Sequence, residues 1–217
     1  MLYIVATPIG NLGDIGVRAL DVLKSVDLVA CEDTRHTQIL LSHYGIRVPT
    51  TSFFQHNRFT KGAYLLGLLK EGKSVALVSD AGTPGILDPG YNLIKEVIAQ
   101  RLPLTVIPGP AAFVCALVLS GKPAHKFIFE GFLPNRSQAR RNRLEKLLAL
   151  DYTLVFYESC HRIVATLKDL DIVCATREIV CVRELTKKFE EIYRGTAKDI
   201  LAQMGGKKPR GEFVLVV

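Results

Sequence analysis

Three stretches of this chain set glycine and proline beside polar groups. They are Thr7-Pro8-Ile9-Gly10-Asn11-Leu12-Gly13, residues 79–90 (Ser79-Asp80-Ala81-Gly82-Thr83-Pro84-Gly85-Ile86-Leu87-Asp88-Pro89-Gly90), and Pro108-Gly109-Pro110-Ala111-Ala112. Glycine lets backbone approach a ligand closely, and proline fixes the loop shape. Each stretch follows a short apolar run that reads as a strand, and open parallel sheets bind ligands beyond the carboxyl ends of their strands. One such loop can be plain turn chemistry; three at one edge of one sheet point to a pocket. The first loop, with Glu32 after it, has the outline of a dinucleotide fold. Its glycines at 10, 13 and 16 are spaced G-x-x-G-x-x-G, however, and Pro8 and Ile9 stiffen the turn that a pyrophosphate would approach, so a nicotinamide site is not expected.

The reactive groups collect nearby. Glu32-Asp33-Thr34-Arg35-His36 puts carboxylates, a guanidinium and an imidazole at a strand-to-helix turn, and His56-Asn57-Arg58 follows the next strand. Glu184 and Lys187 are a second set further along the chain. Each has a plainer reading: helix capping by Asp33 or Thr34, a polar loop at 56–58, and hairpin ion pairs at 184–187. Asp88 can likewise cap a helix with Pro89 at its first position. The five cysteines, at 31, 115, 160, 174 and 181, are odd in number and show no C-x-x-C spacing. Neither a disulfide framework nor a zinc ribbon is expected, no metal cluster is visible, and free thiols in a reducing cytoplasm are the default.

Short strands alternating with amphipathic helices must position these groups. Strands are expected over residues 2–6, 28–31, 50–54, 74–79 and 104–107, with helices over 17–26, 34–44, 60–70 and around 93–98. This rhythm predicts a mainly parallel sheet covered by helices on both faces. Near Ser120-Gly121-Lys122-Pro123 the pattern changes. Strands at 126–131, 153–157, 178–183, 189–194 and 213–217, with helices at 137–150 and 161–170, predict a smaller mixed α+β domain. The strands at 178–183 and 189–194 would pair through a hairpin at 184–188. The expected domains are residues 1–121 and 122–217, within the usual size range for a 217-residue chain. The apolar start of the chain lacks a basic region and reads as a strand rather than a signal peptide, and no apolar run is long enough to span a bilayer.

Charge separates the halves. Residues 1–121 carry 10 Lys/Arg against 9 Asp/Glu, whereas residues 122–217 carry 18 against 12. Arg136, Arg140, Arg141, Arg143 and Lys146 form one basic cluster, and Lys207, Lys208 and Arg210 another. Clustered cations either keep a surface soluble or bind a polyanion, and charge alone does not choose.

In this order the three loops resemble the tetrapyrrole-methylase superfamily, the two-domain class III methyltransferases. The resemblance runs along the chain through Tyr3-Ile4-Val5-Ala6-Thr7-Pro8-Ile9-Gly10-Asn11-Leu12-Gly13-Asp14, Glu32-Asp33-Thr34-Arg35-His36-Thr37, residues 79–90, Phe129-Glu130-Gly131-Phe132-Leu133-Pro134, Phe156-Tyr157-Glu158-Ser159, Arg183-Glu184-Leu185-Thr186-Lys187 and Pro209-Arg210-Gly211-Glu212-Phe213. These motifs narrow it to the members that methylate a cytidine ribose 2′-hydroxyl in the decoding centre of 16S rRNA. Members often continue in a further helical extension beyond the position of Val217, and Gly85, Leu87 and Cys160 depart from the usual pattern.

The resemblance implies S-adenosylmethionine as cofactor, in a cleft between the domains. Carried over by residue, the pocket would use Pro8, Asp80, Gly82, Thr83, Pro84, Ile86, Ala111 and Ala112, then Tyr157, Glu158, Leu185, Gly211 and Glu212. A ribose hydroxyl needs a base or a cationic neighbour to lose its proton, and the residue types offer Arg35 to hold a phosphate and Asp33 or His36 to take the proton, with Glu184 and Lys187 as the second choice. RNA contacts are expected at Arg35, His56, Asn57, Arg58, Arg136, Arg140, Arg141 and Arg143. The implied partners are 16S rRNA in the small ribosomal subunit and a second copy of the chain, in the cytoplasm and without a membrane. A corrinoid methylase of the same fold and a non-catalytic RNA-binding module are the competing readings.

Overall fold

The computed structural model describes residues 1–88, 90–206 and 208–217. Two compact units divide the chain, Met1–Ala111 and Ala112–Val217.

In the first unit five strands, β1 (Leu2–Val5), β2 (Leu28–Cys31), β3 (Thr50–Ser52), β4 (Val75–Leu77) and β5 (Leu104–Ile107), form one sheet in the order β3-β2-β4-β1-β5. Every pairing is parallel. Successive residues of a strand point to opposite faces, so a sheet covered on both sides needs apolar residues throughout. All four residues of β2 are buried accordingly. Helices α1 (Val17–Ser25) and α2 (Thr34–His43) cover one face, with Ala19, Leu23, Leu40 and Leu41 against Val5, Val29 and Cys31. Helices α3 (Arg58–Lys70) and α4 (Tyr91–Ala99) cover the other, with Leu65, Leu69, Leu93 and Val97 against Leu2, Ile4, Leu28 and Ala30. Asp33 rather than Thr34 caps α2, and Gly90 rather than Asp88 precedes α4. Pro89, expected at the start of that helix, lies outside the described residues, as does Lys207 of the second basic cluster.

The second unit opens with α5 (Ala112–Ser120), followed by β6 (Phe127–Phe132), α6 (Ser137–Leu148), β7 (Thr153–Ser159), α7 (Ile163–Cys174), β8 (Ile179–Arg183), β9 (Glu191–Gly195), α8 (Ala197–Gln203) and β10 (Glu212–Val216). Its sheet runs β6-β7-β10-β8-β9, parallel only between β6 and β7. The expected β8–β9 hairpin is present. Leu144, Leu167, Leu170 and Ile200 from α6, α7 and α8 pack on Leu154, Phe156, Cys181 and Leu215. Helix α5 packs on β7 and β10. The compact units therefore part ten residues before the expected boundary, because α5 packs with the second sheet.

Two helices escaped the sequence reading for different reasons. In α5, Ala112-Phe113-Val114-Cys115-Ala116-Leu117-Val118-Leu119 is apolar all round and shows no helical period. In α8 the helix is short, although Thr196 and Asp199 form a capping box that marks its start. All five cysteines are free thiols. Among the described residues no helix is long and apolar enough to cross a membrane.

Candidate active site

Strand order turns three separate loops into one site. Because β4, β1 and β5 are neighbours and parallel, the loops after them leave the same edge side by side. Thr7 and Gly82 exchange backbone hydrogen bonds of 2.9 and 3.1 Å, and the Thr7 hydroxyl donates to the Ser79 carbonyl at 3.0 Å. Gly82 holds φ +82, which a side chain would strain. A Cβ on Gly109 would come within 2.9 Å of the Ala6 Cβ, so glycine is what lets the third loop lie against the first.

A cavity of about 120 Å³ lies at this edge, lined among others by Thr7, Pro8, Leu12, His36, Ser79 and Asp80. It unites residues expected to bind cofactor, Pro8 and Asp80, with one expected to be catalytic, His36. Thr83 is half-buried, Pro84 buried and Ile86 exposed on the same loop as Asp80, while half-buried Ala111 ends the loop after β5. Leu87 sits at φ 66, left-handed backbone that is unusual for a bulky residue.

The carboxylates here differ sharply. One Asp80 oxygen accepts the Asp33 amide at 3.2 Å, and the other makes no hydrogen bond among the described residues. Asp33 accepts the Arg35 amide at 2.8 Å and takes its guanidinium on both oxygens, at 3.1 and 2.7 Å. Those bonds hold the Asp33 carboxyl well below the usual carboxylate range, which makes it a weak base. Asp33 thus caps α2 and anchors Arg35, which leaves His36 the better placed of the two groups expected to take a proton. Burial raises Glu32, with the charge of Asp80 adding to it. Burial, then the Glu32 charge, pushes Asp88 up to about 6. The sequence reading missed this crowding, because Glu32, Asp80 and Asp88 meet only once β2 and β4 pair.

The Asp88 shift has a testable sign. The folded state holds this proton to higher pH than an unfolded carboxyl at 3.8 does. The cost of ionising it is absent below about pH 4, grows between pH 4 and 6, and is complete above 6. Asp88→Asn should raise the melting temperature at pH 8 by about 3 °C, an effect of about 1 kcal/mol after allowing for solvent screening. The gain should vanish near pH 4 in thermal melts across that range; a gain that is independent of pH would mean that Asp88 ionises normally.

In the second unit the expected site residues divide between accessible and structural. The Tyr157 hydroxyl accepts the Phe113 amide at 3.2 Å, and its ring meets Phe129 edge-on at 4.9 Å. Ala112 begins α5, one residue before Phe113. Glu158 is 3% exposed, accepting the Thr166 hydroxyl at 2.6 Å and the Ser159 amide at 2.8 Å. Its side chain braces the start of α7 through Thr166 and Arg162. Leu185 is buried between Glu184 and Thr186, both at positive φ.

Gly211 sits at φ +88, where a Cβ would strike Glu184 at 2.5 Å. Lys187 bridges Glu184 at 3.0 Å and Glu212 at 2.8 Å. Burial opposes the charged form of both Glu184 and Lys187, but Lys187's bond to Glu184, with the Glu212 amide, lowers the former and bonds from Glu212 and Glu184 raise the latter. Both stay charged, and the pair clamps the hairpin to β10.

The expected RNA contacts also separate. Arg140 is 3% exposed and ion-paired with Asp169 at 2.6 Å, and Arg143 is bound to Glu130 through two bonds of 2.6 and 2.7 Å. Arg140 is therefore structural, whereas Arg143 keeps 43% of its side chain exposed beside Glu130. Arg141 donates to Gln138, and Arg136 is exposed beside α6. Asn57 is consumed in the loop before α3, bonding Ser52 and accepting the Phe54 amide at 2.8 Å. Arg35, His36 and His56 are exposed.

Comparison with known proteins agrees with this architecture. The family model for tetrapyrrole (corrin/porphyrin) methylases matches residues 1–201. The chain is 46% identical over 216 residues to a Thermotoga maritima protein named ribosomal RNA small subunit methyltransferase I, covering 100% of this chain and 97% of that one. It is 47% identical to the protein of that name from Escherichia coli O157:H7, covering 100% and 77%. Among solved structures, a diphthine synthase superposes with TM-score 0.76 at 17% identity, covering 100% of this chain and 88% of the other. A cobalt precorrin-4 methyltransferase superposes with TM-score 0.70 at 19% identity, covering 99% and 93%. The structural likenesses carry the fold alone, whereas the family model and the close relatives carry the assignment: the chain belongs to the tetrapyrrole (corrin/porphyrin) methylase family, whose members are S-adenosylmethionine-dependent methyltransferases.

Proposed function

We propose that this chain methylates a cytidine ribose 2′-hydroxyl in 16S rRNA of the small ribosomal subunit, with S-adenosylmethionine as donor. The carrying observation is the cavity that joins Pro8, Asp80 and His36 at the edge where three glycine loops meet, in a chain that shares 46% of its residues with a small-subunit rRNA methyltransferase. The residues present fit the donor. Asp80 has a carboxylate oxygen free to receive an amino group, Gly82 presents backbone in a conformation open to close approach, and Pro8 and Ile86 offer apolar surface. When bound, the donor supplies an electrophilic methyl group. The chain must then place the hydroxyl in line with it and remove a proton. His36 lines the cavity and is the imidazole suited to accept that proton. Arg35, fixed from behind by Asp33 and 89% exposed, presents its guanidinium to solvent where a phosphate can reach it. Leu185 and Gly211 are proposed as further donor contacts, on the strength of the resemblance. Homodimeric assembly in the cytoplasm belongs to the same reading.

Incubation with radiolabelled donor and unmodified small subunits, followed by mapping of ribose methylation, tests the reading. One 2′-O-methylated cytidine is the expected product. Label on a base, or on an added corrinoid in preference to RNA, would replace the proposal with the corresponding activity.

A further inference from the structure

Charge in the first unit is segregated in a way that the half-chain totals hide. Between Asp33 and Glu71 there is no acidic residue, while Arg35, Arg47, Arg58, Lys61 and Lys70 all fall there with three of the five histidines. Residues 34–70 build α2, β3 and α3, and β3 is an edge strand of the sheet. One margin of this unit is therefore cationic although the unit as a whole is nearly neutral.

Aromatic rings stand out from this margin. Phe59, in the first turn of α3, is 77% exposed, and the Arg58 guanidinium lies 4.9 Å from its ring centre. One turn on, Tyr64 is 49% exposed with the Lys61 ammonium 5.5 Å from its ring centre. Arg58 makes no ion pair among the described residues, and Lys61 reaches only the Thr51 hydroxyl, at 3.1 Å. The base of the platform is rigid, because Asn57 ties the preceding loop to Ser52 and Phe54. The loop after β3 leaves the same sheet edge as Arg35 and His36, since β2 and β3 are parallel neighbours.

Exposed rings flanked by cations, on a stretch of chain without carboxylates, are what unpaired nucleotides bind: bases stack on the rings and phosphates meet the cations. We propose that Phe59, with Arg58 and Lys61, forms a stacking platform for an unpaired base of the substrate RNA next to the reaction centre. The inference rests on the rRNA reading and adds where the strand lies. A second copy of this chain is the competing occupant, but two such margins face to face would repel.

The experiment measures binding of a fluorescent single-stranded oligoribonucleotide and of unmodified small subunits to wild type, Phe59→Ala, Phe59→Trp and Arg58→Gln/Lys61→Gln. Melting temperature, donor affinity and sedimentation are recorded for each. Phe59→Ala should weaken RNA binding about tenfold with the other readouts unchanged, and Phe59→Trp should retain it. The double variant should bind more weakly with a shallower salt dependence. Wild-type RNA affinity in Phe59→Ala, or a changed oligomeric state, overturns the platform. Failure of the wild type to bind or methylate RNA would instead overturn the rRNA reading itself.

Discussion

Arg140→Ala will lower the melting temperature of this protein by about 10 °C. The guanidinium sits between α6 and α7, with Nε and Nη2 on one Asp169 oxygen at 2.7 and 2.6 Å and Nη1 shared by the Pro134 and Asn135 carbonyls at 3.3 Å. Ser137 donates to the other Asp169 oxygen at 2.7 Å. Asp169 is 4% exposed, so removing Arg140 leaves a buried carboxylate with one hydroxyl for company. Breaking a buried pair from one side costs about 3–5 kcal/mol, and in a chain of this size each kcal/mol shifts the midpoint by about 2–4 °C. Arg140→Met combined with Asp169→Leu should recover much of the loss, because the desolvation penalty goes with the charges. Arg141→Ala, one position along, should move the midpoint by less than about 2 °C. Thermal melts of the three variants decide the matter, and equal behaviour of Arg140 and Arg141 would refute the buried-pair account. Charge reversal at Arg140 consequently reports on folding and not on RNA affinity.

Asp80→Asn should reduce affinity for S-adenosylmethionine about a hundredfold without destabilising the fold. Losing one partner of a desolvated charged hydrogen bond costs about 2–5 kcal/mol. Asparagine keeps an oxygen for the Asp33 amide, now 3.2 Å from Asp80, so the start of α2 is preserved. It also removes a negative charge that raises Glu32 and Asp88. The variant should therefore melt at or above the wild-type temperature, and the pH dependence traced to Asp88 should move to lower pH. Calorimetry with the donor, paired with melts at pH 5 and 8, reads both effects. Undiminished affinity would remove Asp80 from the donor site; lost affinity with a lower melting temperature would make it a structural residue.

The periodic elements and the three glycine loops were legible from residue order alone. Strands such as β1 and β2 are short runs dominated by apolar residues with sharp turn signals, and the loop residues carry the family's motifs in order. Local composition encodes these features, since a strand's apolar pattern and a turn's φ depend on a few adjacent residues. Helix α5 was not legible, because a uniformly apolar segment has no phase, and its packing on β7 and β10 moved the division between units.

Tertiary structure decided which charged side chains face solvent. Arg140, Arg141 and Arg143 are neighbours in sequence, yet one is buried on Asp169, one lies on Gln138 and one is paired with Glu130. Gln138 lies one turn back on α6, whereas Asp169 comes from α7 and Glu130 from β6, so local spacing does not reveal which arginine is buried. The same holds for Asp88, whose pKa is raised first by burial and then by the charge of Glu32, which follows β2. Ionisation and availability follow from burial and from the nearest opposite charge, which only the folded chain brings together.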